Sequence, residues 1–339
     1  MVRHEVTVTP GNIRFISAPR AGGSDLTAVE RLHGAIPALV TPLHEDGSPD
    51  GPGIDRLVEH VLAGGVSGLL ALGSTGETAS LDEQTRRAAL RRVVESAGGA
   101  VPVLAGVAQT TLRGARAEVE AAAELGAIAA LVVPPFYYPV DQRTVFEFYR
   151  GLASDSPLPI LVYNIPQFTK VVIEPPTLVA LAGDGAVAGI KDSSRDFEYF
   201  ERVCLAMRPL PSFRIFTGSD TMLLASLTMG AAGTICGSAN VAPALVADVY
   251  DTYQRGDLEA ARERQDALIE VVLALRSGVF PTAVKAALEI QGICQAWPAP
   301  PLARLEMVAE ARLREQLEGW RLTQRLERTT RRSPGGRAC

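Results

Sequence analysis

Lysine is nearly missing from this chain. Of its 33 Lys and Arg residues, three are lysine (Lys170, Lys191 and Lys285) and the rest are arginine. Histidine stops early, since His4, His33, His44 and His60 all fall within the first sixty residues. That argues against a histidine-rich zinc site. Cys204, Cys236, Cys294 and Cys339 lie far apart with no CxxC, so reduced thiols in a cytoplasmic protein are expected. No apolar run nears the roughly 20 residues of a membrane span. The opening MVRHEVTVTPGNIRF has no apolar core of the kind a secretory signal carries. Positive charge is not in excess, the net charge being −5, which excludes a basic surface for nucleic acid or an anionic membrane. No GxGxxG follows any apolar run, so the dinucleotide fingerprint is lacking too.

What is present is ordinary globular composition, 339 residues with 47% hydrophobic and 21% charged, enough for a large core. Residues 1–33 show no periodicity and are read as a flexible extension. From residue 34 short apolar runs alternate with amphipathic stretches. The runs are AIPALV (35–40), GLLAL (68–72), VPVLAG (101–106), IAALVV (128–133), PILVY (159–163), AVAGIK (186–191), FRIF (213–216) and GTICG (233–237). They lack polar alternation, as strands buried on both faces do. Helices are expected at 53–64, 82–97, 111–125, 141–153, 175–182, 195–207, 220–230 and 241–254, several opened by good starters such as Asp82, Thr111 and Asp220. Eight strand–helix units predict an α/β fold, a (β/α)8 TIM barrel over 34–255, with an open doubly wound sheet as the alternative. Helices at 258–275, 281–290 and 301–318 form an appended C-terminal helical region (256–320). The basic end, 321–339, is read as a disordered tail.

In such a barrel the chemistry sits at the C-terminal ends of the strands. There the sequence places GSTGE (73–77), PPFYYP (134–139), YNIP (163–166), KDSS (191–194), GSD (218–220) and GSAN (237–240). Lys191 would project into the barrel mouth, where burial disfavours the ammonium. A neutral amine attacks carbonyl carbon to give a Schiff base, which an arginine cannot do. The plain alternative is an ion pair of Lys191 with Asp192. Tyr163 ends the preceding strand, within plausible reach to pass protons, or else simply packs its ring. Ser74 and Thr75 offer hydroxyls, and Gly73 and Gly76 let the backbone approach a small anion. A tight turn explains the same residues. Lys285, inside an amphipathic helix, is read as structural, and Lys170 as a solvated loop residue.

Taken in order, GSTGE, PFYYP, YNIP, GIKDSS, GSD and ANVAP resemble the dihydrodipicolinate synthase / N-acetylneuraminate lyase family over roughly residues 34–318. The resemblance implies class I pyruvate-dependent aldolases on a (β/α)8 barrel, usually homotetramers. By that likeness Lys191 is the Schiff-base lysine and Tyr163 the general acid/base. Ser74 and Thr75 hold the pyruvyl carboxylate and relay protons. Tyr137 is the tyrosine donated across a subunit interface, and Ile235 lines the pyruvate pocket. One position departs. Where dihydrodipicolinate synthases carry an arginine five residues past the tyrosine, this chain has Phe168, which cannot make a bidentate carboxylate contact. PFYYP is also closer to sialic-acid lyases and sugar-acid aldolases than to the synthases' PYYN. Phe168 therefore suggests a less anionic or more apolar aldehyde, with Lys170 as the alternative source of a displaced positive charge.

The resemblance implies a lyase that cleaves or forms a C–C bond between pyruvate and an aldehyde, as from a 2-keto-3-deoxy sugar acid. It implies no metal or organic cofactor and a homo-oligomer, tetramer or dimer. The alternatives are 4-hydroxy-tetrahydrodipicolinate synthase or a 2-oxo acid dehydratase using the same lysine. A non-catalytic small-molecule-binding barrel is the alternative of another class.

Overall fold

The computed structural model describes residues 27–331, with side chains from 29 to 320. Eight strands form the centre: β1 (Gly34–Pro37), β2 (Leu69–Ala71), β3 (Val103–Val107), β4 (Ala129–Val132), β5 (Ile160–Asn164), β6 (Gly189–Asp192), β7 (Arg214–Thr217) and β8 (Gly233–Cys236). Each falls on one of the eight apolar runs. All pairs are parallel, in the order β1-β8-β7-β6-β5-β4-β3-β2. A parallel bridge between Ala38 and Leu70 closes the ring, so the sheet is a barrel and not an open sheet. Every strand residue but Arg214 is buried. Both faces are covered, by helices outside and by Ile36, Leu70, Leu104, Leu131, Leu161 and Phe216 inside. This is why the runs carry no polar alternation.

The helices begin where short polar side chains can cap them. Asp50, Asp82, Thr111, Asp141, Asp196 and Asp257 each accept a hydrogen bond from the backbone N–H three residues on, satisfying a donor the helix leaves free. Asp220 is different. It opens a 3-10 turn (Asp220–Met222) and caps nothing with its side chain. Asn240 closes the seam between β1 and the loop after β8. Its Nδ2 donates to Ala38 O at 2.8 Å and its Oδ1 accepts from Val40 N at 3.0 Å.

Two boundaries differ from the sequence reading. The extension does not end at residue 33: Thr27–Glu30 makes one helical turn, and Val29 and Leu32 are buried among the interior side chains. Arg214, the first residue of β7, donates to Glu30 O, so this turn plugs the barrel end opposite the site. Two apolar residues set among polar ones give no periodicity to detect. Residues 1–26 lie outside the described residues. In the C-terminal region, Leu258–Ala274 and Thr282–Ile290 match their expected spans, but the last helix is Met307–Arg331. Residues 302–306 are not helical, so its start is later than read. No proline follows until Pro334, so the helix enters the stretch read as a tail. Residues 332–339 lie outside the described residues.

Candidate active site

Register puts the chemistry together. Tyr163 on β5 and Lys191 on β6 are paired residues of neighbouring strands, and both side chains are nearly sealed from solvent, at 4% and 3% exposure. Lys191 Nζ donates to Tyr163 Oη at 3.1 Å and lies 4.3 Å from the centre of its ring. Ser74 Oγ donates to the same phenol oxygen at 3.4 Å. The three groups form one chain, amine to phenol to hydroxyl, at the C-terminal rim. Room for the lysine comes from Gly218 in the loop after β7. A Cβ there would stand 2.8 Å from Lys191 Cε and 2.0 Å from Ser193 Oγ.

The ion-pair alternative for Lys191 fails on geometry. Asp192 faces outward and is engaged elsewhere. Its carboxylate accepts from Asn164 Nδ2 at 2.7 Å and from Ser194 N and Oγ at 3.1 and 2.9 Å. Burial raises the Asp192 pKa, opposed by the hydrogen bonds from Asn164 and Ser194. The same Asn164 accepts from Ile173 N at 3.1 Å, and Gln167 Nε2 donates to Ser193 O at 3.0 Å. The loops after β5 and β6 are thereby fastened to each other, which fixes the Tyr163–Lys191 pair.

Lys191, Tyr163 and Ser74 line a cavity of about 360 Å³, within the range of small-molecule sites. Thr75 and Ile235 stand at its base, both buried, and Phe168 stands at its mouth, 55% exposed. Of the predicted residues, Ser74, Thr75, Tyr163, Phe168, Lys191 and Ile235 thus converge on one cavity. Tyr137 does not. It is 83% exposed, has a left-handed backbone (φ 81°), and lies outside the lining of that cavity. Lys170 is also outside it, and donates to Gln167 O.

The cavity also takes in residues that the sequence does not mark as site residues. Asp220 belongs to GSD, and its side-chain Oδ1 is buried with no hydrogen-bond partner. Burial raises its pKa, offset in part by the Cys236 thiol, the Ser238 hydroxyl and the charges of Lys191 and Arg276. Phe280 reaches the mouth from the C-terminal region, with its ring 6.3 Å from that of Phe168. Nothing local in the sequence marks Phe280 or Arg276 as site residues, because only the tertiary fold brings the C-terminal region over the barrel mouth.

Glu77, the last residue of GSTGE, is the clearest omission. It takes a left-handed backbone conformation (φ 59°) and forms a wholly buried ion pair with Lys285, Oε1 to Nζ at 2.5 Å. Glu77 Oε2 also accepts from Ala299 N at 2.6 Å, and Lys285 Nζ donates to Trp297 O at 2.6 Å. Burial pushes the Lys285 pKa down while the Glu77 carboxylate holds it up. The structural reading of Lys285 is thus matched by an ion pair that ties the Ser74–Thr75 loop to the C-terminal helices.

Among the described residues no group of three or more His, Cys, Asp or Glu is placed to hold a metal, and no helix is long and apolar enough to cross a membrane.

Comparison with known proteins agrees with this architecture. The model of the dihydrodipicolinate synthetase family matches residues 31–319. An uncharacterized DapA-like lyase of Halobacterium salinarum is 39% identical over 278 residues, 81% of this chain and 88% of that protein. A 4-hydroxy-tetrahydrodipicolinate synthase of Hyphomonas neptunium is 36% identical, covering 83% of this chain and 95% of its own length. Among solved structures, the dihydrodipicolinate synthase of Thermotoga maritima superposes with a TM-score of 0.83 at 31% identity, over 86% of this chain and 99% of that one. YagE, an Escherichia coli K12 prophage protein of the dihydrodipicolinic acid synthase family solved with pyruvate, gives 0.82 at 26%, over 86% and 99%.

Proposed function

The chain belongs to the dihydrodipicolinate synthetase family, and from that premise we propose that it is a class I carbon–carbon lyase joining or cleaving pyruvate and an aldehyde through a Schiff base on Lys191. The single observation that carries this is the buried hydrogen bond from Lys191 Nζ to Tyr163 Oη at 3.1 Å, extended to Ser74. A non-catalytic binding barrel has no need of an amine sealed against a phenol.

The amine attacks the 2-oxo carbon, and the oxygen leaves as water after protonation through Tyr163. The iminium then withdraws electrons. Cleavage breaks the C3–C4 bond, its electron pair forming the enamine while the C4 hydroxyl loses its proton and becomes the aldehyde. Protonation at C3 and hydrolysis release pyruvate and the free amine. Synthesis runs the same steps in reverse. Ser74, Thr75 and the backbone N–H groups of their loop hold the carboxylate and orient the 2-oxo carbon toward the amine.

Phe168, standing where synthases carry arginine, favours a 2-keto-3-deoxy sugar-acid type of aldolase over authentic 4-hydroxy-tetrahydrodipicolinate synthase. The chain works as a homo-oligomer in which Tyr137 enters a neighbouring site. A cytoplasmic setting fits Cys204, Cys236 and Cys294, which are buried free thiols.

The test is borohydride reduction with pyruvate, read by intact mass and peptide mapping on wild type and Lys191→Ala. One adduct on the Lys191 peptide, lost in the variant, is expected. A folded protein that traps no pyruvate defeats the lyase reading. Turnover of aspartate semialdehyde with pyruvate would favour the synthase.

A further inference from the structure

Charge is unevenly distributed around the lysine cavity. Its lining holds three cations, Lys191, Arg195 and Arg276, and one acid, Asp220. Lys191 is taken up by the chemistry, which leaves two guanidinium groups with no assigned task. Neither has a carboxylate within 4 Å among the described residues, although Asp220 feels the charge of Arg276 from farther off. Both are exposed at the rim.

Each is held on a fixed backbone. Arg195 has a left-handed conformation (φ 64°), which is unfavourable for a side chain of its size. It persists because the turn around it is bonded: Ser194 N and Oγ go to Asp192, and Asp196 N goes to Ser194 Oγ at 3.1 Å. Arg276 follows the helix Leu258–Ala274 in a closing turn, with its N–H on Leu273 O at 3.2 Å and Ser277 Oγ on Ala274 O at 2.8 Å. Gln265 locks that helix onto the loop after β7, donating to Asp220 O at 3.1 Å and accepting from Leu224 N at 2.9 Å. The C-terminal region therefore delivers Arg276 to the rim by a defined route.

Size leaves room for a second anchor. At about 30 Å³ per water, 360 Å³ holds roughly a dozen waters, and the six bonded non-hydrogen atoms of pyruvate fill less than half of that. The same cavity is lined, besides Lys191, by Ser193, Ser219, Asp220, the two arginines, Phe168 and Phe280.

We propose that Arg276 and Arg195 are specificity residues that bind a second anionic group, a carboxylate or phosphate, at the far end of the aldehyde half of the substrate. The charge that Phe168 cannot supply is met from the loop after β6 and the C-terminal region instead of from the loop after β5. This revises the expectation of a less anionic aldehyde, and it rests on the Lys191 Schiff-base reading. Guanidinium groups suit both anions because their planar fork pairs with two oxygens.

The experiment is borohydride trapping on Lys191 with matched 2-oxo acids, 2-oxoadipate against 2-oxohexanoate, which differ in the distal carboxylate. In wild type the diacid should half-saturate trapping at a roughly tenfold lower concentration. In Arg276→Ala, and more completely in Arg195→Ala/Arg276→Ala, that ratio should collapse toward one. The ratio is taken within each variant, so a general loss of folded protein or of imine formation cancels. Adding inorganic phosphate or acetate as competitor identifies the preferred anion: stronger inhibition of diacid trapping by phosphate assigns a phosphorylated aldehyde, equal or weaker inhibition a carboxylated one. A wild-type ratio near one, or a preference that survives the double substitution, overturns the proposal. Failure of wild type to trap pyruvate at all overturns the Schiff-base reading beneath it, and is a separate result.

Discussion

At the scale of single residues the site hangs on one phenol. Tyr163 Oη is the shared partner of Lys191 and Ser74, so Tyr163→Phe removes the middle of the relay while keeping the ring within the interior cluster that also holds Phe216 and Ile235. The expected outcome is a fall in kcat of about 10²–10⁴, the usual contribution of a positioned acid/base, with an unchanged melting profile. A variant with near wild-type kcat would assign the proton transfers elsewhere. Buried thiols give a second test at this scale. Burial pushes Cys204 up to about 11 and Cys294 up to about 12. Thiols raised on folding contribute stability that is present below the unfolded value of about 8.5 and is lost as pH rises through the folded values. The denaturant midpoint should therefore drop between pH 9 and pH 11. Cys204→Ala and Cys294→Ala should each flatten that drop, and an unchanged slope would mean that the thiols do not carry it.

Among elements, the strands were legible and the loop supports were not. Each strand could be read as a run because burial on both faces removes the alternation of polar and apolar residues from it, and Lys191 stood out because a lysine closes such a run in an arginine-using chain. The partners of those strand ends were hidden. Glu77 meets Lys285 across more than two hundred residues of sequence, and Asn240 meets Ala38 across 202. No spacing or periodicity reports contacts so distant. The Glu77–Lys285 pair has a large expected effect. Lys285→Met leaves a buried carboxylate uncompensated, which costs about 3–5 kcal/mol. Glu77→Gln/Lys285→Met removes both charges, keeps an acceptor for Ala299 N, and should recover much of that loss. Chemical denaturation of the singles and the double in a mutant cycle measures it. A Lys285→Met loss below about 1 kcal/mol would show that the pair is not the tie between loop and helices.

For the whole molecule, the sequence conveyed the barrel through its eight units, but not which surfaces another copy would cover. Those depend on side chains that look alike whether solvated or covered. The exposed aromatic cluster is informative here. Tyr137 and Tyr138 are 83% and 74% exposed, with rings edge to face at 5.0 Å, on the same molecule that exposes Phe168 and Phe280. Exposed apolar side chains that touch each other, as Tyr137 and Tyr138 do, are the kind of patch that marks an interaction surface when it is contiguous. If Tyr137 completes a neighbour's site, Tyr137→Phe should lose roughly 10²-fold in kcat while sedimenting at the same oligomeric mass as wild type. The decisive step is mixing. Tyr137→Phe subunits keep Lys191, Lys191→Ala subunits keep Tyr137, and a hybrid assembly contains sites with both. Activity should return when the two inactive preparations are dissociated and reassociated together, and not when each is treated alone. No gain on mixing, with hybrids confirmed by native mass, would place Tyr137 outside catalysis. A wild-type protein that sediments as a single chain would rule out the shared site altogether.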